Sequence, residues 1–350
     1  MALAPMADVT DAAFRRIISR YSKNQTVQHP GVAQFVMWTE FVSADGLARA
    51  PEEGRRKLLA DLMYTEEERP IVAQFFTSRP ENMEKAALIA AELGFDGVDI
   101  NMGCPDRSIE KQGAGAAHMK DPERAKEVIA AAKQGARHRS GDGKLIELPV
   151  SVKTRLGYNK DELDTWLPHL LEAQPAAITI HARTRKEMSK VPARWERIAR
   201  AVEIRNEFSK GEAFGKFELR TLIIGNGDVE NVEDARKKVV ETGADGAMLG
   251  RAIFGTPWLF SNSQEFENRK NQEVLRRILS IMVEHTKLFE ELFVHPAKSG
   301  AHKNFAIMKK HYKAYVADFD GAADLRAALM AAPDASAVEK IAVDFLAKNG

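Results

Sequence analysis

Short apolar runs rich in β-branched residues alternate with longer amphipathic stretches over the first 260 of the chain's 350 residues. Eight of these runs read as strands: Ala2–Met6, Ala33–Trp38, Ile71–Phe76, Gly97–Asn101, Val150–Thr154, Ala177–His181, Thr221–Gly225 and Gly246–Gly250. Each is followed by a polar loop and then by a stretch of helical period, as in Pro80–Leu93, Pro122–Arg137, Leu163–Glu172 and Val232–Thr242. Pro80 and Pro122 fall in a first helical turn, where a missing N–H is harmless, and Asp121 is placed to cap the second of these helices. Gly94 and Gly243 stand where a helix end favours a left-handed residue.

Eight strand–helix units in this length predict a closed parallel barrel, with an open doubly wound sheet as the competing arrangement. Two polar stretches, His138–Glu147 and Asn206–Phe217, follow helices and read as surface loop insertions on the barrel's stability face. After Phe260 the pattern changes. Glu273–Phe293, Phe305–Phe319, Ala322–Met330 and Ala337–Ala347 have helical period with no strand-like alternation. The expected fold is therefore α/β, a (β/α)8 TIM barrel over residues 1–260 followed by a small all-helical C-terminal domain over 261–350.

In a parallel barrel, reactive groups belong at the strand C-termini and in the loops beyond them. The polar residues at these positions are unusual for a purely structural barrel. Gln74 lies in the third strand. The fourth ends in Asp99-Ile100-Asn101-Met102-Gly103-Cys104-Pro105. Lys153 and Arg155 belong to the fifth, His181 and Arg183 to the sixth, Gly225-Asn226-Gly227-Asp228 to the seventh, and Gly250-Arg251 to the eighth. Burying a lysine, an asparagine and a histidine requires partners, and one shared polar ligand supplies them more simply than separate structural solutions. The consecutive glycine turns after strands seven and eight suit a phosphate, because backbone N–H groups can approach it and Arg251 adds charge. Either turn alone reads more simply as a tight turn.

Lys153 can neutralise a reduced cofactor ring, or can simply reach solvent from a strand end. His181 can equally be a hydrogen-bonded core histidine. Cys104 is the only cysteine, so no intrachain disulfide is possible and a reducing, cytoplasmic setting is expected. A lone cysteine is usually a small core hydrophobe. Here it follows a strand in a Gly-Cys-Pro loop, where a thiol with an ordinary pKa near 8.5 is mostly protonated and able to donate a proton. Cysteine plus a distant histidine is too little for zinc, and no metal is expected.

Composition adds exclusions. The chain is 44% hydrophobic and 29% charged, the range of an ordinary folded protein. No apolar run approaches the ~18 residues of a spanning helix, and the N-terminus shows no secretory pattern. Neither a membrane nor an obligatory protein partner is expected. The formal charge of +1 argues mildly against a nucleic-acid partner when taken as a total. Locally it conceals a run: Lys298, Lys303, Lys309, Lys310 and Lys313 occur between Glu291 and Asp318 with no acidic residue among them, interleaved with Phe305, Tyr312 and Tyr315. Such a run is ordinarily a solvated face. On an appended helical domain it also suits a surface that grips a nucleic-acid backbone.

Six colinear segments resemble the flavin-dependent tRNA-dihydrouridine synthases. They are Leu3-Ala4-Pro5-Met6-Ala7 with Thr10-Asp11; Asp99 to Pro105; Val152-Lys153-Thr154-Arg155-Leu156-Gly157; Thr179-Ile180-His181-Ala182-Arg183-Thr184; Ile224-Gly225-Asn226-Gly227-Asp228; and Leu249-Gly250-Arg251-Ala252. The tail is similar to the family's C-terminal domain around His311-Tyr312 and Phe319–Leu329. The resemblance implies FMN at the barrel mouth. Pro5, Met6 and Ala7 would line its ring, and Gln74, Lys153 and His181 would bond its polar edge. Asn226, Gly227, Asp228, Gly250 and Arg251 would hold its phosphate end. It further implies NADPH as reductant, hydride delivery to uracil C6, Cys104 as the acid that protonates C5, and Asn101 as a residue that places the uracil.

A base inside folded RNA must leave its stack to be reached. The tail lysines, with Arg183, Arg185, Lys186 and Lys190 at the mouth, are the expected RNA contacts. The loop Met188–Pro192 and the two insertions have no obvious family counterpart. Two other readings compete: a barrel acting on a free pyrimidine, as dihydroorotate dehydrogenases do, and an RNA-binding barrel without catalysis. The basic tail disfavours the first. The intact set of Asn101, Cys104 and Lys153 disfavours the second.

Overall fold

The structure is a computed structural model that describes every residue except 24–34, 140, 142, 210–219, 262–263, 295–302 and 350. In chain order its strands are β1 (Ala2–Leu3), β2 (Met37–Ser43), β3 (Ile71–Phe76), β4 (Gly97–Asn101), β5 (Arg137–Arg139), β6 (Leu145–Glu147), β7 (Val150–Arg155), β8 (Ala177–His181), β9 (Leu222–Asn226) and β10 (Gly246–Leu249). Eight of them form one parallel sheet in the order β1-β10-β9-β8-β7-β4-β3-β2. A parallel bridge between Ala2 and Val36 closes it, with the Leu3 N–H donating to the Val36 carbonyl at 2.9 Å and the Val36 N–H to the Met1 carbonyl at 3.1 Å. The closed barrel replaces the open-sheet alternative.

The runs that are apolar on both faces became strands at or near their expected bounds, because a barrel strand is covered by core inside and helices outside. β1 is shorter than expected because Pro5 has no N–H to continue the ladder after Ala4. The second strand lies further along than Ala33–Trp38. Residues 33–34 fall outside the described residues, and β2 runs on through Thr39 and Glu40, both buried, with a register shift between Trp38 and Phe41. Asp121 does cap the Pro122–Gly135 helix, accepting the Arg124 N–H at 3.1 Å, and Gly243 ends the Val232–Thr242 helix at φ 69°.

The first insertion is not a loop. Arg137–Arg139 and Leu145–Glu147 pair antiparallel, Arg137 with Glu147, His138 with Ile146 and Arg139 with Leu145. In the second, Asn206 to Phe208 continue the Trp195–Phe208 helix, and 210–219 lie outside the described residues.

The C-terminal region is helical as expected: Gln272–Phe289, Met308–Tyr315, Ala322–Ala331 and Ala335–Asn349. It shares a continuous apolar core with the barrel's first helix, Ala12–Ile18. At the seam Phe14 stacks on His285 at 4.7 Å, and His311 meets both rings edge-on at 4.7 and 4.6 Å. Both histidines are fully buried. Neither ring nitrogen of His311 has a hydrogen-bond partner among the described residues, and the Tyr315 hydroxyl lies 3.4 Å from His285 Nδ1. Tyr312 and Tyr315 are likewise fully buried, so they belong to this seam and not to a stacking surface for RNA.

Burial forces both imidazoles to stay neutral. It lowers His311 to about 3, helped by the Lys310 charge, and lowers His285 well below its ordinary value, helped by His311. The unfolded chain would protonate both near pH 6.5. Stability is therefore complete above about pH 6.5 and falls as the pH drops from there toward 3, by about 1.4 kcal/mol per pH unit for each histidine. His311→Phe should flatten the difference in urea midpoint between pH 7 and pH 5 relative to the parent. An unchanged pH slope would mean that His311 is not held neutral.

Candidate active site at the barrel mouth

Strand register assembles the site. It sets Asn101 beside Lys153, Arg155 beside His181, and His181 beside Asn226. Residues scattered over more than a hundred positions thus share one layer at the C-terminal end of the barrel.

Lys153 is the least neutralised of them. Its ammonium makes one hydrogen bond, to Asn226 Oδ1 at 3.2 Å. Asn226 is itself turned by donating from Nδ2 to the Met248 carbonyl at 2.8 Å. Burial lowers Lys153 to about 8, with Arg155 adding to the effect and Asp99 and Cys104 opposing it.

Beneath it runs a chain of buried polar groups. Ser151 and Gln74 both donate to Asp99, Gln74 at 2.6 Å, and Asn101 Nδ2 donates to Gln74 Oε1 at 3.1 Å. Burial raises Asp99 to about 6, and the Ser151 and Gln74 bonds counter it. Asn101 Oδ1 then accepts the N–H groups of Gly103 at 3.2 Å and Cys104 at 2.9 Å. Gln74 and Asn101 therefore act first within the protein: Gln74 is fully buried, and Asn101 grips the turn that carries Cys104. Arg155 clamps the same turn by donating to the Gly103 carbonyl at 2.7 Å. Gly115, at φ 61°, leaves room for the Cys104 carbonyl, which a Cβ there would meet at 2.9 Å.

The Cys104 thiol is half-buried, and burial pushes its pKa up, against the lowering influence of Arg155 and Lys153. It is thus a protonated thiol at neutral pH, suited to act as an acid.

At the far side, Asp228 accepts from Arg251 at 2.6 Å, from the Ala193 N–H at 2.9 Å and from Arg183. Its carboxylate orients two arginines, so its contribution to an anion site runs through them. Arg183 is nearly fully buried and donates to His181 Nε2 at 3.0 Å. Arginine cannot accept, so Nε2 is the acceptor and the imidazole proton resides on Nδ1. Burial, with Arg155, Lys153 and Arg183, drives the His181 pKa far below its ordinary value and keeps the ring neutral. Arg183, expected at the mouth as an RNA contact, is therefore buried within this inner cation set and paired with Asp228. Gly227, at φ 118°, keeps the turn open where a Cβ would meet Ala193 at 2.9 Å and His181 at 3.0 Å. Opposite it Met6 lies within reach of Gly250, where a Cβ would stand 3.7 Å from the Met6 Sδ. Pro5 is half-buried, Ala7 is exposed, and Arg251 is exposed apart from its bond to Asp228.

The tail lysines separate. Lys309, Lys310 and Lys313 share one helix face, opposite the buried Met308, His311, Tyr312 and Tyr315, and have no ion pair among the described residues. Lys303 differs: it is held between Glu40 and Asp61, the latter at 3.0 Å, and is not free to meet phosphate. Lys298 lies outside the described residues. Arg185 is paired with Glu110, while Lys186 and Lys190 are exposed. Sequence reasoning missed Glu40. Its only signal was a Thr39-Glu40 pair inside an otherwise apolar run.

No group of three or more His, Cys, Asp or Glu that could hold a metal occurs among the described residues. Nor is any described helix long and apolar enough to cross a membrane.

A (β/α)8 barrel whose mouth gathers Lys153, Arg155, Arg183 and Arg251 over glycine turns, beside a protonated thiol, is suited to hold an anionic or phosphorylated ligand. The family model for dihydrouridine synthase matches residues 2–349. A probable tRNA-dihydrouridine synthase 2 of Bacillus subtilis is 34% identical over 344 residues, covering 98% of this chain and 93% of that protein. A probable tRNA-dihydrouridine synthase of Staphylococcus epidermidis is 34% identical over 329 residues, 94% of this chain and 88% of that one. Among solved structures, a variant of NCR from Zymomonas mobilis aligns over 73% of this chain and 83% of its own, with 17% identity and a TM-score of 0.42. The chain belongs to the dihydrouridine synthase family of flavin-dependent oxidoreductases. The residues present suit a flavin: a partly buried ammonium with one neutral hydrogen-bond partner among the described residues, an imidazole whose Nδ1–H faces no partner among them, and a glycine turn that any side chain would close.

Proposed function

We propose that this protein reduces a uridine of tRNA to dihydrouridine, with FMN as its bound cofactor and NADPH as reductant, on tRNA in the cytoplasm. One observation carries the reading beyond the family match: a thiol kept protonated by burial stands on a turn fixed by Asn101 and Arg155, in the same layer as a partly buried ammonium that no carboxylate contacts among the described residues. The names borne by the relatives support an RNA substrate over a free pyrimidine.

When bound, the flavin supplies the hydride that reduces the uracil C5–C6 double bond. Lys153 and His181 Nδ1–H meet its polar edge, and Lys153 opposes negative charge there. Pro5, Met6 and Ala7 bound the ring. Backbone N–H groups at Gly227 and Gly250, with Arg251 steered by Asp228, hold the phosphate end. Cys104 gives its proton to C5, so hydride and proton together account for the two hydrogens gained. Asn101 acts by holding the Cys104 turn.

The catalytic unit is the barrel over 1–260, and the helical region over 261–350 grips the RNA. The face formed by the half-buried Lys309 and Lys310 and the exposed Lys313 contacts the backbone while the target base is extruded into the mouth.

Purified enzyme given NADPH and unmodified tRNA should form dihydrouridine, detectable by nucleoside mass spectrometry. No product on any tRNA, with turnover of free dihydroorotate, would overturn the reading. Cys104→Ala should keep its yellow colour and its reduction by NADPH, yet lose uridine reduction by about 10²-fold or more. Equal product formation would remove Cys104 from the reaction. Replacing Lys309, Lys310 and Lys313 with alanine should weaken tRNA binding and reduce the slope of log affinity against log salt by roughly 2 to 3, as lost phosphate contacts require. An unchanged slope would make that face merely solvated.

A further inference from the structure

Lys303 comes from the helical region, yet its side chain ends inside the barrel mouth. Its backbone N–H donates to the Phe293 carbonyl at 3.0 Å, and its ammonium passes 5.0 Å from the Phe293 ring centroid. There it pairs with Glu40 in the middle of β2 and with Asp61, and its side chain is only 13% exposed. Asp11, fully buried with one carboxylate oxygen lacking a partner among the described residues, also acts on it electrostatically. One ammonium therefore faces three carboxylates. Burial raises Glu40 to about 7, with Lys303 opposing the rise and Asp11 and Asp61 adding to it.

Glu40 has a second task. Oε2 meets Lys303, while Oε1 accepts the N–H of Asp8. Asp8 sits at φ 54°, in the left-handed region, within the turn that follows Pro5, Met6 and Ala7. The turn is otherwise closed by the Val9 and Thr10 N–H groups on the Met6 carbonyl, at 3.1 and 3.0 Å, and by Thr10 Oγ1 accepting from the Met6 N–H at 2.9 Å. A left-handed aspartate persists only where its surroundings hold it. A charged acceptor on its N–H is the stronger kind of hydrogen bond.

We propose that Lys303 is a positioning residue for the reaction: by holding Glu40 it transmits the docked state of the helical region into the Pro5–Asp8 turn that borders the cofactor. The proposal rests on the tRNA-reductase reading above, because it assigns the turn to the flavin and the helical region to RNA. Removing the ammonium leaves Glu40 buried among carboxylates. Without the ammonium that opposes the rise, the carboxyl's pKa moves further up from about 7, the protonated form prevails at neutral pH, and its hold on Asp8 weakens. The turn shifts while the fold remains, because the Phe14–His285–His311 seam and the Tyr21 bond to Glu284 still dock the helices.

The test compares Lys303→Met, Lys303→Arg and Glu40→Gln with Glu284→Gln, which breaks a different contact between the two regions. Hydrogen exchange across residues 5–11 and steady-state kinetics on tRNA are measured for each. Lys303→Met and Glu40→Gln should speed exchange of the Asp8 amide about tenfold or more. They should also lower kcat about tenfold or more with KM for tRNA held within about threefold, as expected of misplaced rather than lost groups. Lys303→Arg should recover most of both, and Glu284→Gln should change neither. A raised KM with unchanged kcat and a reduced salt slope would overturn the proposal and return Lys303 to RNA contact. A lowered melting temperature with unchanged kcat and unchanged Asp8 exchange would overturn it in favour of a simple structural bolt. If Lys303→Met does not fold, the contrast between Glu40→Gln and Lys303→Arg decides. If the parent makes no dihydrouridine, the tRNA reading fails by itself, and the Asp8 exchange still shows whether Lys303 governs the turn.

Discussion

Much of this architecture turns on one partly buried ammonium, Lys153, that no carboxylate contacts among the described residues. Drawing Lys153 partly out of water is unfavourable, and the protein relieves it only in part, through one neutral amide oxygen and the more distant Asp99, while Arg155 adds further positive charge. A protein that needed only stability would have replaced the lysine or paired it. Here the neighbouring strands keep it as it is. β9 turns Asn226 by way of Met248, β8 brings a neutral histidine, and β7 adds Arg155. The barrel thus maintains an unfilled demand for negative charge at its mouth, and that demand defines what the site can hold.

The same environment sets the thiol. Burial and the nearby cations act on Cys104 in opposite directions, and burial prevails. A thiolate would make a nucleophile, whereas a thiol kept protonated makes an acid. The Ser151–Asp99–Gln74–Asn101 chain has no direct part in the proton transfer proposed for Cys104. It fixes the backbone on which the thiol rides, and its members are buried deep enough that solvent does not compete.

How much of this was legible depended on whether the determining contact was local. Strands buried on both faces announced themselves as apolar runs, and capping residues such as Asp121 and Gly243 marked helix ends by chemistry within a few residues. The site residues were legible through topology, because a barrel sends strand ends to one face. β2 was misplaced because Thr39 and Glu40 break its apolar pattern for the sake of the mouth. The β5–β6 pair was missed because each strand is three residues long and largely exposed, and β5 is Arg-His-Arg. Lys303 looked like its neighbours at 309, 310 and 313, since nothing in a lysine run reveals a partner 263 residues away. Tyr312 and Tyr315 looked available to RNA because their burial comes from a seam with Phe14 and His285, far away in sequence.

The central claim is that Lys153 is a strained cation awaiting a negative partner. Its side-chain titration, followed by NMR on selectively labelled lysine in flavin-free protein and again after flavin binding and reduction, tests this directly. A midpoint near 8 in the flavin-free protein, moving upward when the reduced flavin binds, is the result this account requires. A midpoint at the ordinary lysine value of about 10.5 that flavin leaves unchanged would contradict it.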